Sequence, residues 1–116
     1  MNGGFVAKFE YVLWLVEYLK KPIFKFQWDS GNEAKSQQKH GILVSEAEEV
    51  FYDKDILPLG IQTQPLPNEI RFGVIGKTST DKILFVSFTV RDMEIRIIST
   101  RKASKQEREI YEEKND

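Results

Sequence analysis

The chain contains no cysteine and only one histidine, His40. It can therefore build neither a disulfide framework nor a thiolate site, and one imidazole cannot form a histidine-rich metal site. Zinc chemistry is not expected, and the residues call for no metal or cofactor. Long apolar runs are also absent. The most apolar stretch, FVAKFEYVLWLVEYL from Phe5 to Leu19, is interrupted by Lys8, Glu10 and Glu17, so it falls short of the roughly 18 uninterrupted apolar residues of a membrane span. The two glutamates inside it, with no small-residue cleavage site after them, argue against a signal peptide. A cytoplasmic protein with no membrane partner is expected. Finally, positive charge is not in excess: 17 Lys and Arg face 18 Asp and Glu, a formal charge of -1. A uniformly basic nucleic-acid binder is excluded, and any affinity for phosphate must come from a local patch. DNA binding by the chain itself also lacks a recognition-helix pattern.

At 116 residues and 41% hydrophobic, the chain suits one compact domain. Phe5, Phe9, Val12, Leu13, Val16 and Leu19 fall at helical spacing, and Pro22 stops the pattern. The other side of that helix carries Val6, Tyr11, Trp14, Leu15 and Tyr18. That is more apolar surface than one core covers, so the helix is either sandwiched within the domain or touches a partner chain. IFKFQW then alternates as a half-buried strand. A polar helix is expected from Gly31 to Lys39, capped by Asp29 and Ser30 and closed by Gly41. Ser45 with Glu48 marks a short helix whose Ala47, Val50 and Phe51 share a face. The proline-rich YDKDILPLGIQTQPLPNE reads as a loop with one short strand at Ile56 to Leu59. EIRFGVIG, KILFVSFTV and MEIRIIST are spaced for an antiparallel meander. Ser104 with Glu107 opens a last helix from Lys105 to about Glu113. The pattern is α+β.

Charge is concentrated near the C-terminus. Arg96, Arg101, Lys102, Lys105 and Arg108 face only Glu107, a local balance of +4, before an acidic tail. Regular strand alternation sends Arg96 and Arg101 to opposite faces, and only a twist or bulge would bring them together. Arg71, two residues from Glu69 on an expected strand, offers a planar fork suited to phosphate. His40, beside Lys39, has the one unperturbed pKa suited to proton transfer near neutrality. Each feature also has a plainer reading: a surface ion pair for Glu69 and Arg71, a dipole-complementing helix end for Lys39 and His40, and a solvated face or acidic-partner site for the basic cluster.

The residues also resemble a known family. FQWD at Phe26 to Asp29 with Lys39, His40 and Gly41 is similar to the opening signature of the BrnT toxins of bacterial type II toxin–antitoxin modules. Glu46, Ala47, Val50 and Phe51 resemble its second block, and Glu69, Arg71, Phe72, Ile75 and Gly76 its third. The closing block resembles Arg96 to Ser99, Arg101, Ala103, Glu107, Arg108 and Tyr111. The resemblance implies a RelE-like small antiparallel sheet with flanking helices over residues 23–116, preceded by an additional N-terminal helix in residues 1–22. It also implies a metal-independent ribonuclease that inhibits translation and is neutralised by a BrnA-type ribbon-helix-helix antitoxin, through which the pair reaches operator DNA. Arg71, Arg96 and Arg101, with His40 or Glu69 for proton transfer, are the expected catalytic residues. Lys39, Lys102, Lys105 and Arg108 are the expected substrate contacts.

The helix after Asp29 departs from the family pattern, with Asn32 where a Lys is usual, Ser36 where an Asn is usual, and polar Gln37 where an apolar residue is common. Without that Lys, any phosphate contact the family makes from this helix is not expected here. A non-catalytic relic that binds antitoxin as a co-repressor is therefore the alternative expectation, and a homo-oligomer through the N-terminal helix is a further one.

Overall fold

The computed structural model describes residues 5–6, 9–29, 31, 41–62 and 70–114. Among them, five strands form one antiparallel sheet in sequence order: β1 (Phe5–Val6), β2 (Leu57–Gln62), β3 (Phe72–Lys77), β4 (Ile83–Arg91) and β5 (Glu94–Lys102). The helices are α1 (Phe9–Tyr18), α2 (Val44–Glu49), which runs into a 3-10 turn at Val50–Tyr52, and α3 (Lys105–Lys114). The architecture is α+β. The β-branched and aromatic runs of β3, β4 and β5 pair as a meander because their connections are too short for any other pairing.

The sheet is covered on both faces. Phe72, Val74, Leu84, Val86, Phe88, Ile95 and Ile97 point inward with Leu15, Tyr18, Ala47, Val50 and Phe51 of the α1 and α2 side. Ile75 and Phe85 point outward, packed with Ala103 and Tyr111 of the α3 region. Double coverage explains why β3 and β4 are buried almost without alternation. Aromatic rings tie the inner layer together: Trp14 stacks on Phe72 at 5.6 Å, Phe72 meets Phe88 at 5.5 Å, and Phe88 meets Phe51 edge-on at 4.9 Å.

Several expectations are corrected. Phe5 lies in strand β1 rather than on the first helix, which starts at Phe9. The face that α1 buries carries Leu15 and Tyr18, while Leu13 and Val16 of the other face are exposed. Stacking of Trp14 and Tyr18 decides this rotation, since it extends the aromatic layer of the sheet. Residues 24–28 are extended but form only an isolated parallel bridge, Phe26 to Ile95. Its hydrogen bonds run from Gln27 N–H to Ile95 O and from Ile95 N–H to Lys25 O, each at 2.8 Å. The expected alternation holds only at its start: Phe24 is buried and Lys25 exposed, whereas Phe26, Gln27 and Trp28 are all half-buried. Helix α2 is capped two residues early, at Leu43, whose N–H donates to Glu46 at 3.0 Å. The short strand is longer than expected, reaching Gln62. The expected helix from Gly31 to Lys39 lies outside the described residues apart from Gly31.

The box that opens α3 forms as its spacing predicts. Ser104 N–H donates to Glu107 Oε1 at 2.8 Å and Glu107 N–H to Ser104 Oγ at 3.2 Å. The β4–β5 hairpin turns at Asp92 and Met93, with φ of 54° and 65°. Both values belong to the left-handed region that a two-residue hairpin loop favours and that Met disfavours. The turn is held from outside: Tyr18 Oη donates to Met93 O at 2.9 Å and Gln27 Nε2 to Arg91 O at 3.0 Å.

Two stability predictions follow from backbone fit. A Cβ on Gly76 would lie 2.6 Å from Val50 Cγ1 and 3.0 Å from Val50 O. Gly76→Ala is expected to cost about 1–3 kcal/mol through overpacking, read as a lower denaturant midpoint at unchanged slope. Met93→Gly is expected to add about 0.5–1 kcal/mol, because relief of a left-handed residue exceeds the added chain entropy. A lower thermal midpoint in that variant would contradict the strain.

Candidate functional site

The basic stretch is organised by one irregularity in β5. Phe85 pairs with Arg101 and Ser87 with Ser99, but the next pairs are Phe88 with Ile97 and Thr89 with Arg96. One extra residue, Ile98, therefore sits opposite the step from Ser87 to Phe88. Paired residues point to the same face, and Phe85 and Thr89 are four apart on β4, so they share a face. Arg96 and Arg101 thus lie on the same outer face of the sheet. The objection raised by regular alternation is removed by the bulge.

The outer face reads as rows. Ile75, Phe85 and Arg101 form one, Gly73, Ser87 and Ser99 the next, and Thr89 and Arg96 a third. Arg71 precedes β3 beside that third row, where Thr89 Oγ1 donates to Ile70 O at 2.8 Å. The arginine rows are about 13 Å apart along the strands, and the row between them has no side chain larger than serine. An elongated anion lying across that row meets positive charge at both ends.

At rest both arginines hold carboxylates. Arg96 Nη1 lies 2.8 Å from Asp29 Oδ2, with side chains 21% and 55% exposed. Arg101 binds Glu107 in a fork, Nη1 to Oε1 at 2.8 Å and Nη2 to Oε2 at 3.0 Å. Its guanidinium also lies 4.2 Å from the centre of the Phe85 ring, which fixes its plane. Burial works against the charged form of Glu107, but hydrogen bonds from Arg101 and Ser104 outweigh it and hold the carboxyl below the usual glutamate value. Lys105 and Arg108 are exposed on the same turn of α3 as Glu107, with Arg108 Nη1 donating to Ala103 O at 3.3 Å, whereas exposed Lys102 pairs with Leu84 and so belongs to the opposite face of β5 from Arg101. The expected groups Lys39, His40 and Glu69 lie outside the described residues, as do Asn32, Ser36 and Gln37.

Two partners were not evident from spacing. Asp29, read as a helix cap, is the counter-ion of Arg96, and its place in the Trp-Asp signature was the available signal. Asp53 accepts from Tyr111 Oη at 2.5 Å and from Lys77 N–H at 2.8 Å, pinning α3 to the end of β3. Burial and the neighbouring Asp53 carboxylate raise the Tyr111 hydroxyl well above its ordinary value.

A family model described as the ribonuclease toxin BrnT of type II toxin–antitoxin systems matches residues 28–107. The chain belongs to that family. No curated protein matches its sequence. Membership in the BrnT family carries with it an RNA target and an antitoxin partner. The matched span holds Asp29, Arg71, Arg96, Arg101 and Glu107. Helix α1 precedes it and the acidic half of α3 follows it.

The Glu107 carboxyl gives a pH prediction. A carboxylate held below its ordinary value of 4.5 contributes stability that is complete above that pH. That stability is lost as pH falls through the lower folded-state value. Denaturation at about pH 6 and about pH 3.5 should therefore show a larger loss for the native chain than for Glu107→Gln. Equal losses in the two proteins would remove Glu107 from the acid response.

Proposed function

We propose that the chain is a metal-independent endoribonuclease toxin that inhibits translation in the cytoplasm, and that a BrnA-type ribbon-helix-helix antitoxin neutralises it. Its sheet and helices are taken as a RelE-like domain, with residues 1–22 as an N-terminal extension. The observation that carries this reading is the placement of Arg96 and Arg101 on one face by the Ile98 bulge, with Arg71 beside the row of Arg96. Without a metal, the 2′-oxygen forms a bond to the adjacent phosphorus while the bond from phosphorus to the 5′-oxygen breaks. One group takes the 2′-hydroxyl proton and another protonates the leaving 5′-oxygen. His40 and Glu69 are assigned to those transfers. Arg71 and Arg96 are assigned to the negative charge that grows on the phosphoryl oxygens, where positioned cations act most strongly; Arg101, expected from the sequence to share that charge, stands about 13 Å along the strands from the Arg96 row and is assigned to a neighbouring phosphate. Lys39, Lys102, Lys105 and Arg108 are assigned to flanking phosphates. Operator DNA is reached only through the antitoxin. A toxin–toxin contact would use the outer side of α1, where Leu13 and Val16 are exposed.

A second reading, the non-catalytic co-repressor, is favoured by one observation: both terminal nitrogens of Arg101 are committed, to Glu107 and to Lys102 O. Activity separates the two. Inducing the chain alone should arrest growth and degrade cellular RNA, whereas intact RNA with continued growth would favour the co-repressor.

Arg96→Ala is the informative variant, because its partner Asp29 is more than half exposed and the pair contributes about 1 kcal/mol or less to stability. Cleavage should fall roughly 10²–10³-fold with little change in melting. Undiminished toxicity would take Arg96 out of the mechanism.

A further inference from the structure

The Arg101 guanidinium is occupied at rest, because the Glu107 carboxylate fills its fork. We propose that the Glu107 carboxylate is an internal surrogate for phosphate, filling the Arg101 fork that an RNA phosphate takes over when substrate binds. This rests on the ribonuclease reading above and adds a competition to it.

The geometry carries the argument. A carboxylate with two oxygens at 2.8 and 3.0 Å from the two terminal nitrogens uses the same pair of donors that a phosphate uses. The fork outlasts the departure of Glu107, because Phe85 holds the guanidinium plane from below. It can also be reached from solvent, since the Arg101 side chain is 40% exposed against 17% for Glu107. Glu107 can release Arg101 without unwinding α3: Ser104 N–H still donates to it, and its own N–H still donates to Ser104 Oγ. Exposed Lys105 and Arg108, on the same turn of α3 as Glu107, add positive field there, which favours exchange towards the more highly charged anion. The opposing account makes the pair a brace between β5 and α3, with no part in binding.

The two accounts separate in a double-mutant cycle on the full chain. The probe is a fluorescein-labelled, 2′-O-methylated single-stranded RNA of about 12 nucleotides, which binds without supplying the attacking hydroxyl. Anisotropy is measured across a salt series for the native chain, Glu107→Gln, Arg101→Gln and the double variant. Gln at this position keeps the capping-box acceptor, and circular dichroism checks that α3 persists. Glu107→Gln is expected to bind roughly tenfold more tightly at low salt, with a log–log salt slope steeper by about 0.7, one added phosphate contact on a single strand. Both gains should vanish when Arg101 is Gln. Glu109→Gln, an equal charge change on an exposed position of α3, should give less than half the gain.

No gain in Glu107→Gln, a gain that survives without Arg101, or an equal gain from Glu109→Gln would each overturn the proposal. Absence of binding in every variant would overturn it as well. Failure of the ribonuclease reading looks different: cellular RNA stays intact on induction, whatever the coupling between Glu107 and Arg101.

Discussion

The bulge at Ile98 governs what each side of β5 can do. Counting back from Thr100, unbroken alternation would turn Ile98 and Arg96 inward and Ile97 and Ile95 outward. A guanidinium would then enter the aromatic layer at a desolvation cost of several kcal/mol. With the extra residue, Ile95, Ile97 and Thr100 all face the core while Arg96, Ser99 and Arg101 face out. The same irregularity therefore closes the hydrophobic layer and assembles the basic face. Folding and site formation are one event in this strand.

The rest of the fold serves to hold that strand in register. Phe72, Phe88 and Phe51 are in ring contact across β3, β4 and the turn after α2, so a slip of one residue in β3 or β4 would turn Phe72 or Phe88 out of the core and away from Phe51. On the other side, α3 is fastened at two points. Arg101 and Ser104 hold its first turn through Glu107, and Asp53 holds its second through Tyr111. The basic face is built against this fastened helix. Its arginines are held in fixed directions by carboxylates and a ring, which limits the reorganisation needed when an anion arrives.

Legibility in the sequence follows the range of the forces involved. The α3 cap was readable because Ser104 and Glu107 are three residues apart and act through a local geometry. The meander was readable for the same reason: short connections and period-two runs leave few pairings. The rotation of α1 was not, since the helix is apolar on nearly every side and only the sheet's aromatic rings choose which residues are buried. The alliance of Arg96 with Arg101 was hidden because alternation assumes an unbroken strand. The one hint lay in the adjacent Ile97 and Ile98, two apolar residues in succession where period two allows one. Asp53 and Tyr111 stand 58 positions apart, and no spacing rule relates them. Glu107 was visible as a cap, but its grip on Arg101 needs the strand and helix to meet in space.

Leu15 and Tyr18 lie within the same inner cluster as Phe72, Val86 and Phe88, although helix α1 precedes the span shared with the family. The stretch that matches the family and the stretch that packs into one core therefore have different borders in this chain. Cut at Trp28, the inherited module would keep every residue of its basic face and lose the lid of its own core. Ancestry marks out one length of polypeptide here, and solvent exclusion marks out a longer one.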